Sequence, residues 1–175
     1  GIDILEGGAG ADLLDGGGGY DIASYSMATS KVNLDLRSNG TFGDAANDTF
    51  TSIEGVIGTA FDDYVYGNAV ANTLDGGLGV DRLRGDGGND ILLGGAGADD
   101  LNGGSGIDTA SYTNAGSKVN LDLRSRGTFG EAANDTFSSI ENVIGSGFDD
   151  YIYGNGGNNT ITKAGDGFAR LDYVN

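Results

Sequence analysis

Residues 85–111 read GDGGNDILLGGAGADDLNGGSGIDTAS, and this stretch decides the fold. It consists of three successive blocks of nine residues. Each block begins with a glycine-rich stretch, has an aspartate at the sixth position and has an aliphatic or small residue at the eighth. The sixth residues are Asp90, Asp99 and Asp108, and the eighth residues are Leu92, Leu101 and Ala110. A spacing this regular indicates that the negatively charged aspartates lie at regular positions in the fold.

The composition of the chain excludes several classes of function. The 175 residues include 9 basic and 26 acidic ones, a net charge of −17, with no histidine and no cysteine. Nucleic-acid binding needs a basic surface, so we expect no nucleic-acid partner. Without histidine and cysteine there are no disulfides, no usual zinc or copper ligands and no common general base. Such an acidic chain suits a cation as its partner.

Targeting and membrane signals are not visible in the sequence. No apolar run approaches the ~18 residues that a membrane helix needs, so we expect no membrane insertion by this segment. The first residues, GIDILEGG, lack the basic and apolar regions of a signal peptide. Because Gly1 begins within a repeat, we interpret the chain as a fragment of a longer protein.

Two tandem copies of 87 residues make up the chain. SKVNLDLRS at residue 30 recurs at residue 117, and AANDTF at residue 45 recurs at residue 132. We divide the chain into a first copy, 1–87, and a second copy, 88–175, with a degenerate cap at 163–175. Each copy holds an irregular segment, 25–57 and 112–144, in which KVNLDLR alternates like a strand. We interpret these segments as widened turns of one solenoid; the alternative is a surface loop.

Within the copies the chain repeats every nine residues, with the pattern G-G-x-G-x-D-x-U-x, where U is a large aliphatic residue. Six such nonads run without a break from residue 58 to residue 111. Position six of the nonads is occupied by Asp3, Asp12, Asp21, Asp63, Asn72, Asp81, Asp90, Asp99, Asp108, Asp150 and Asn159.

The nonad excludes a helix and favours stacked strands. A glycine inside a helix costs about 1 kcal/mol relative to alanine, whereas in a tight turn glycine reaches conformations closed to other residues. The x-U-x triplet then forms a short strand with U pointing inward, and two nonads make one turn of the coil. Successive turns stack at the ~4.8 Å spacing of paired strands. We predict an all-β parallel β-roll with a thin apolar core of position-eight residues.

Stacked turns place Asp81 over Asp99 and Asp90 over Asp108. Two such carboxylates repel each other, but a hard cation that prefers six to eight oxygen ligands accepts both of them. The glycine loops expose carbonyls that can complete the shell. Calcium fits better than magnesium, which demands a strict octahedron and retains its water. The alternative is that the aspartates only stabilise turns.

The repeated nonad resembles the RTX family of hemolysin-type calcium-binding repeats. The resemblance covers most of the chain, except the two irregular segments and the C-terminal end. It implies a right-handed parallel β-roll that holds multiple structural Ca²⁺ ions. It also implies export by the type I secretion system of Gram-negative bacteria and a secreted or cell-surface location.

The resemblance also implies a ligand set for each ion. Carbonyls at positions two and four and the position-six aspartate come from one loop, and carbonyls at positions one and three and the next aspartate come from the loop two nonads later. One implied site uses Gly77, Gly79, Asp81, Gly94, Ala96 and Asp99; a second uses Asp86, Gly88, Asp90, Gly103, Ser105 and Asp108. By the same rule Asp63 pairs with Asp81, Asn72 with Asp90, and Asp3 with Asp21.

Some of these sites depart from the pattern. Asp12 and Asp150 lack a well-matched partner loop, so their sites are less secure. Asn72 and Asn159 offer a neutral oxygen, so we expect weaker sites there. Glu54 and Glu141 lie in equivalent SIE contexts, where we expect a role in the turn or in support of calcium binding.

We therefore expect a non-catalytic module that folds on binding extracellular Ca²⁺ and serves as a folding, spacer or assembly element of a secreted protein. The alternative is a carbohydrate-binding or adhesin module, including the appended region of a polysaccharide-modifying enzyme, with calcium as its scaffold. In that case Tyr64, Tyr66, Tyr151 and Tyr153 face outward and stack on sugar rings of a polysaccharide or cell-surface glycan. These tyrosines could instead cover the neighbouring irregular segments.

Overall fold

A computed structural model describes residues 1–165 and 169–172 of the chain. Apart from two three-residue 3-10 turns, Gly43–Ala45 and Gly130–Ala132, the regular structure of these residues is β. No helix in this part of the chain is long and apolar enough to cross a membrane. In chain order the strands are β1 (Ile4–Leu5), β2 (Leu13–Asp15), β3 (Ile22–Ser24), β4 (Asn33–Asp35), β5 (Thr49–Thr51), β6 (Gly55–Thr59), β7 (Tyr64–Tyr66), β8 (Thr73–Gly77), β9 (Arg82–Gly87), β10 (Ile91–Leu93), β11 (Asp100–Ser105), β12 (Thr109–Ser111), β13 (Asn120–Asp122), β14 (Gly127–Phe129), β15 (Thr136–Ser138), β16 (Asn142–Ile144), β17 (Asp150–Tyr153), β18 (Thr160–Thr162) and β19 (Ala169–Asp172).

Each regular nonad contributes one strand that contains its position-eight residue. Consecutive strands lie on opposite faces, so that β8 pairs with β10 and β9 pairs with β11. The pairing is parallel and aligns Leu74 with Leu92 and Leu83 with Leu101, eighteen residues apart. Two nonads therefore form one turn of the coil, as the sequence predicts.

The strands assemble into one continuous face and one divided face. The continuous face, called the long sheet below, has the strand order β1-β3-β6-β8-β10-β12-β16-β18. The opposite face consists of β2-β5, β4-β7-β9-β11-β15 and β14-β13-β17-β19. Among the named strands of the described residues, every pairing is parallel except β13 with β14. The chain is thus a parallel β-roll, which confirms the predicted fold class.

A narrow apolar core lies between the two faces. The position-eight residues of the uninterrupted run are buried, with 0% exposure at Leu74, Leu92 and Leu101. The irregular segments continue this core with Val32, Leu34 and other buried aliphatic side chains. Burial of these side chains supplies the hydrophobic term that holds the coil closed.

The irregular segments belong to the solenoid, and each contains a reversal of the chain. From β3 the chain passes to β4, which pairs with β7. It then turns back through antiparallel bridges, Asn33 with Phe42 and Asn39 with Thr49, and enters β5, which pairs with β2. Strand β6 finally rejoins the long sheet beside β3. Residues 112–144 follow a corresponding path through β13, β15 and β16.

The long sheet crosses the boundary between the two sequence copies. Strand β10 of the second copy pairs with β8 of the first copy on one side and with β12 on the other. The division of the chain at residues 87 and 88 stays a prediction.

Candidate metal sites

Position-six side chains form a column beside the long sheet, called the long-sheet ladder below. In Asp21, Asp90 and Asp108 the Oδ1 atom accepts a hydrogen bond from the backbone nitrogen of the ladder residue one rung earlier. The N···O distance is 2.9 Å from Asp3 to Asp21, 2.7 Å from Asn72 to Asp90 and 2.8 Å from Asp90 to Asp108. The side-chain amides of the two asparagines instead donate to the backbone carbonyls of the preceding glutamates. In strand order the members of the ladder are Asp3, Asp21, Glu54, Asn72, Asp90, Asp108, Glu141 and Asn159.

A second column, called the opposite ladder below, lies beside the other face. Asp63 donates its backbone N–H to Asp81 at 2.8 Å, and Asp81 donates to Asp99 at 2.9 Å. The structure therefore brings together the carboxylate pairs that the eighteen-residue spacing predicts. The members of this ladder are Asp12, Asp48, Asp63, Asp81, Asp99, Asp135 and Asp150.

Four ladder members lie outside the pairs that the sequence predicts. Asp48 accepts the backbone N–H of Asp12 at 2.9 Å, so Asp12 has a matched rung after all. Asp135 accepts the N–H of Asp99 at 2.9 Å in the same way. Asp48 lies 36 residues after Asp12, which is four nonads, so the period itself places it on that face. The other two are Glu54 and Glu141, which accept the backbone N–H groups of Asp21 at 3.0 Å and Asp108 at 2.9 Å.

The second carboxylate oxygen of several ladder residues has no hydrogen-bond partner within the described chain. These buried atoms are the Oδ2 atoms of Asp12, Asp21, Asp81, Asp90, Asp99 and Asp108. Leaving a charged oxygen buried without a partner is costly. A cation between the rungs would satisfy these atoms, so the arrangement fits a metal ion.

Two aspartates of the opposite ladder are instead satisfied by tyrosines. The buried Tyr25 donates its hydroxyl to Oδ2 of Asp48 at 2.8 Å, and Tyr112 donates to Oδ2 of Asp135 at 2.7 Å. Both oxygens of each carboxylate are therefore engaged by the protein. These two rungs have less capacity for a metal ion than their neighbours.

Two of the aspartates predicted as ligands have both carboxylate oxygens engaged by the protein, one within the same loop and one by the preceding rung. Asp63 accepts the backbone N–H of Thr59 at 2.6 Å through Oδ2, while its Oδ1 accepts the N–H of Val32. Asp150 has the equivalent bonds, to the N–H of Ser146 at 2.8 Å and to Val119. Both carboxylate oxygens of Asp150, whose partner loop matches the repeat poorly, are thus already engaged.

Position-one glycines make room for the carboxylates. A Cβ atom built on Gly85 would contact Oδ2 of Asp90 and would lie 2.6 Å from the carbonyl oxygen of Gly103, one turn later. A Cβ atom built on Gly94 would likewise contact Oδ2 of Asp99. The carboxylate and the carbonyl of the next turn therefore face one point, as shared ligands of one ion must.

The other predicted carbonyl ligands line the stacked loops. The carbonyl of Gly77 accepts the N–H of Ala96 at 3.1 Å, and the carbonyl of Ala96 accepts that of Gly79 at 3.0 Å. Ser105 accepts the N–H of Gly88 at 3.0 Å. Each carbonyl has a second lone pair, so these bonds leave it able to bind a cation. The carbonyl of Asp86 faces Gly104 in the next turn.

Burial makes the charged form of the ladder aspartates unfavourable in the absence of a metal ion. Burial and, to a smaller extent, the neighbouring Asp99 and Asp63 carboxylates together raise the pKa of Asp81 to about 8. Burial likewise raises the pKa of Asp90 and of Asp99 to about 6 and that of Asp135 to about 7. A divalent ion would favour the charged forms and so remove this penalty.

The donor set favours calcium over other metals. Within residues 1–165 and 169–172, no group of three or more acidic side chains is placed to hold a metal ion. Each gap between two acidic rungs offers two carboxylates, and further ligands must come from carbonyls. Calcium accepts such a mixed set of six to eight oxygens, whereas zinc sites are built largely from histidine and cysteine, which this chain lacks.

The four tyrosines lie beside the irregular segments. Tyr64 pairs with Asn33 of β4, and the charged groups of Lys31 and Arg82 lie 6.0 Å and 5.3 Å from its ring centre. These contacts favour the interpretation that Tyr64 covers the neighbouring segment. On β17, Tyr151 is 41% exposed and lines an open groove of about 430 Å³ together with Tyr153. Tyr66 lies on β7, in line with Asp35 of β4. Sugar binding by these tyrosines stays a prediction.

Comparison with known proteins agrees with this geometry. No curated protein sequence matches the chain. The family model of the RTX calcium-binding nonapeptide repeat matches it in four copies, at residues 1–23, 56–83, 75–110 and 135–162. These matches cover more than half of the chain and include the uninterrupted run of nonads. The chain belongs to the RTX calcium-binding nonapeptide repeat family.

Proposed function

We propose that this chain is a non-catalytic module that folds when it binds several extracellular Ca²⁺ ions between its rungs. One observation carries the proposal. Asp90 and Asp108 stack one turn apart, both are buried, and their Oδ2 atoms have no hydrogen-bond partner among the described residues.

The ions would bind in the gaps of the two ladders. Between Asp90 and Asp108 the ligands are the two carboxylates and the carbonyls of Asp86, Gly88, Gly103 and Ser105. Between Asp81 and Asp99 they are the two carboxylates and the carbonyls of Gly77, Gly79, Gly94 and Ala96. Asp3, Asp12 and Asp21 support further sites near the N-terminus. Asn72 and Asn159 contribute neutral oxygens, and Asp63 and Asp150 carry competing hydrogen bonds, so sites at these four residues are weaker.

Calcium binding of ordinary strength is enough to control folding. A site with a dissociation constant of about 10⁻⁴ M gains about 1.4 kcal/mol at millimolar calcium. Several such sites together approach the stability of about 5–15 kcal/mol that is typical of a domain. The chain would therefore stay largely unfolded where calcium is scarce and fold where it is plentiful.

This dependence suits a protein exported by type I secretion. Calcium is scarce inside the cell, so the chain would cross the envelope unfolded and form its β-roll outside. There the roll would act as a folding, spacer or assembly element of the secreted protein. A catalytic role is not part of the proposal, because among the described residues no nucleophile, base and partner acid converge on either ladder.

Circular dichroism with and without a chelator tests the proposal. We expect little strand signal in chelator and a gain of strand signal when calcium is added. Asp90→Asn and Asp108→Asn, which place an amide nitrogen near the ion, should raise the calcium concentration at the folding midpoint. Asp15→Asn is the matched control, since Asp15 is exposed and accepts only the N–H of Gly17. A spectrum that calcium does not change would contradict the proposal.

A further inference from the structure

We infer that each irregular segment carries an additional binding site for a hard divalent cation, in which a glutamate takes the place of the repeat's aspartate. One site comprises Asp108, the Ser139 carbonyl and Glu141. The other comprises Asp21, the Ser52 carbonyl and Glu54. The inference takes the identity of the ion, calcium, from the proposed function. It extends calcium binding to residues outside the nonapeptide motif.

Glu141 occupies a full rung of the long-sheet ladder. The residue that follows it, Asn142, pairs with Thr109, which follows Asp108. The Oε2 atom of Glu141 accepts the backbone N–H of Asp108 at 2.9 Å. One rung earlier, Oδ1 of Asp108 accepts the N–H of Asp90 at 2.8 Å. The glutamate therefore makes the same inter-rung bond as an aspartate of the regular repeat.

Asp108 has an oxygen available for the ion in this gap. Its side chain is 0% exposed, and its Oδ2 atom has no hydrogen-bond partner within the described residues. A Cβ atom built on Gly103 would lie 2.5 Å from this Oδ2 and would also contact the carbonyl oxygen of Ser139. One turn earlier, Gly85 has the same relation to Oδ2 of Asp90 and to the Gly103 carbonyl. The Ser139 carbonyl thus replaces a glycine-loop carbonyl.

The first copy repeats this arrangement. Asp21 is 0% exposed, and its Oδ2 atom also has no hydrogen-bond partner in the described part of the chain. Glu54 accepts the backbone N–H of Asp21 through Oε2 at 3.0 Å. A Cβ atom on Gly16 would contact the Ser52 carbonyl and the Asp21 side chain.

The longer side chain of glutamate suits the shorter connection. Asp21 and Glu54 are 33 residues apart, three fewer than the 36 that separate Asp12 and Asp48 on the opposite ladder. The extra methylene lets the carboxylate reach the ladder from a turn without the glycine loop. Two carboxylates and a carbonyl then face one gap, which is the donor chemistry of a calcium-sized ion. On the opposite ladder, Tyr112 engages the equivalent oxygen of Asp135, so the added sites lie on one side only.

Counting bound calcium in glutamine variants tests the inference. Glutamine keeps the oxygen that accepts the Asp108 N–H but removes the charge. By equilibrium dialysis against calcium, we expect Glu141→Gln and Glu54→Gln each to lose one ion per chain or to weaken one site about tenfold or more. Glu131→Gln is the matched control, since Glu131 accepts the N–H of Gly116 and lies off both ladders. Two equivalent variants keep the test valid if one of them fails to fold.

An Asp90→Asn variant measured in parallel separates the two proposals. If Asp90→Asn loses an ion while both glutamine variants keep the full count and affinity, the glutamates only hold the backbone, and this inference is wrong. If all three variants bind calcium like the unmodified chain, the proposed function is wrong as well. Loss in Asp90→Asn and in both glutamine variants, but not in Glu131→Gln, supports the inference.

Discussion

The Oδ1 atom of Asp108 accepts a hydrogen bond of 2.8 Å from the backbone nitrogen of Asp90, eighteen residues earlier in the chain. This bond fixes the two carboxylates one turn apart and uses one oxygen of Asp108. The other oxygen is buried and lacks a hydrogen-bond partner among the described residues. Asp81 and Asp99 have the same relation on the other face. The length of the repeat therefore determines where a cation can bind.

The stability of the metal-free fold should fall as the pH rises. Burial raises the pKa of Asp81 to about 8 and that of Asp90 and Asp99 to about 6, from an ordinary 3.8. The folded chain then binds these protons more tightly than the unfolded chain does. Its stability is greatest below the ordinary pKa and is lost as the pH rises through the raised values. In chelator, circular dichroism should therefore show more strand signal at about pH 5 than at about pH 8.

Calcium affinity should change with pH in the opposite direction. The ion binds the ionised carboxylates and competes with their protons. Titrations with calcium should therefore give tighter binding at about pH 8 than at about pH 5, with protons released on binding. Equal affinity at both values, together with a strand signal in chelator that is independent of pH, would show that the buried aspartates are not the ligands.

Gly85→Ala should destabilise the calcium-loaded roll. The new Cβ atom would contact Oδ2 of Asp90 and lie 2.6 Å from the Gly103 carbonyl, two of the proposed ligands. Overpacking of this kind costs about 1–3 kcal/mol, and the displaced carboxylate should bind calcium less tightly. Thermal melts in calcium measure the loss of stability. Gly18→Ala is the control, because its Cβ atom would have no heavy atom within 4 Å beyond the residue itself and its two chain neighbours. Equal effects of both changes would contradict this account.

Asp135→Asn should leave the number of bound calcium ions unchanged. In the native chain Tyr112 already donates its hydroxyl to Oδ2 of Asp135 at 2.7 Å. An asparagine amide can donate to the same hydroxyl, while its oxygen continues to accept the Asp99 N–H. Equilibrium dialysis should find the native calcium count in Asp135→Asn and a lower count in Asp108→Asn. A lost ion in Asp135→Asn would mean that calcium displaces the tyrosine.

The regular part of the fold could be predicted from the sequence because one period determines it. Aspartates eighteen residues apart must lie on the same face, so the pairs Asp81 with Asp99 and Asp90 with Asp108 follow from counting. Asp48 keeps the same nine-residue phase, since it is four nonads beyond Asp12. The buried eighth residues, such as Leu74 and Leu92, follow from the same period.

The irregular segments could not be predicted in the same way. Their reversal depends on antiparallel contacts such as Asn39 with Thr49, which bring together residues that share no repeat position. Glu54 lies three residues before the position that the nine-residue period predicts for a ladder residue. Its longer side chain still places the carboxylate beside the backbone N–H of Asp21. The tyrosine contacts are long-range as well, since Tyr25 and Asp48 meet across the core from 23 residues apart.

Locating calcium directly is the sharpest test of the central claim. Crystals of the chain grown with calcium, measured at a long X-ray wavelength, would reveal each calcium ion by its anomalous scattering. The account predicts peaks between Asp90 and Asp108 and between Asp81 and Asp99, within bonding distance of both carboxylates of each pair. A well-ordered roll with no peak at either place would contradict it.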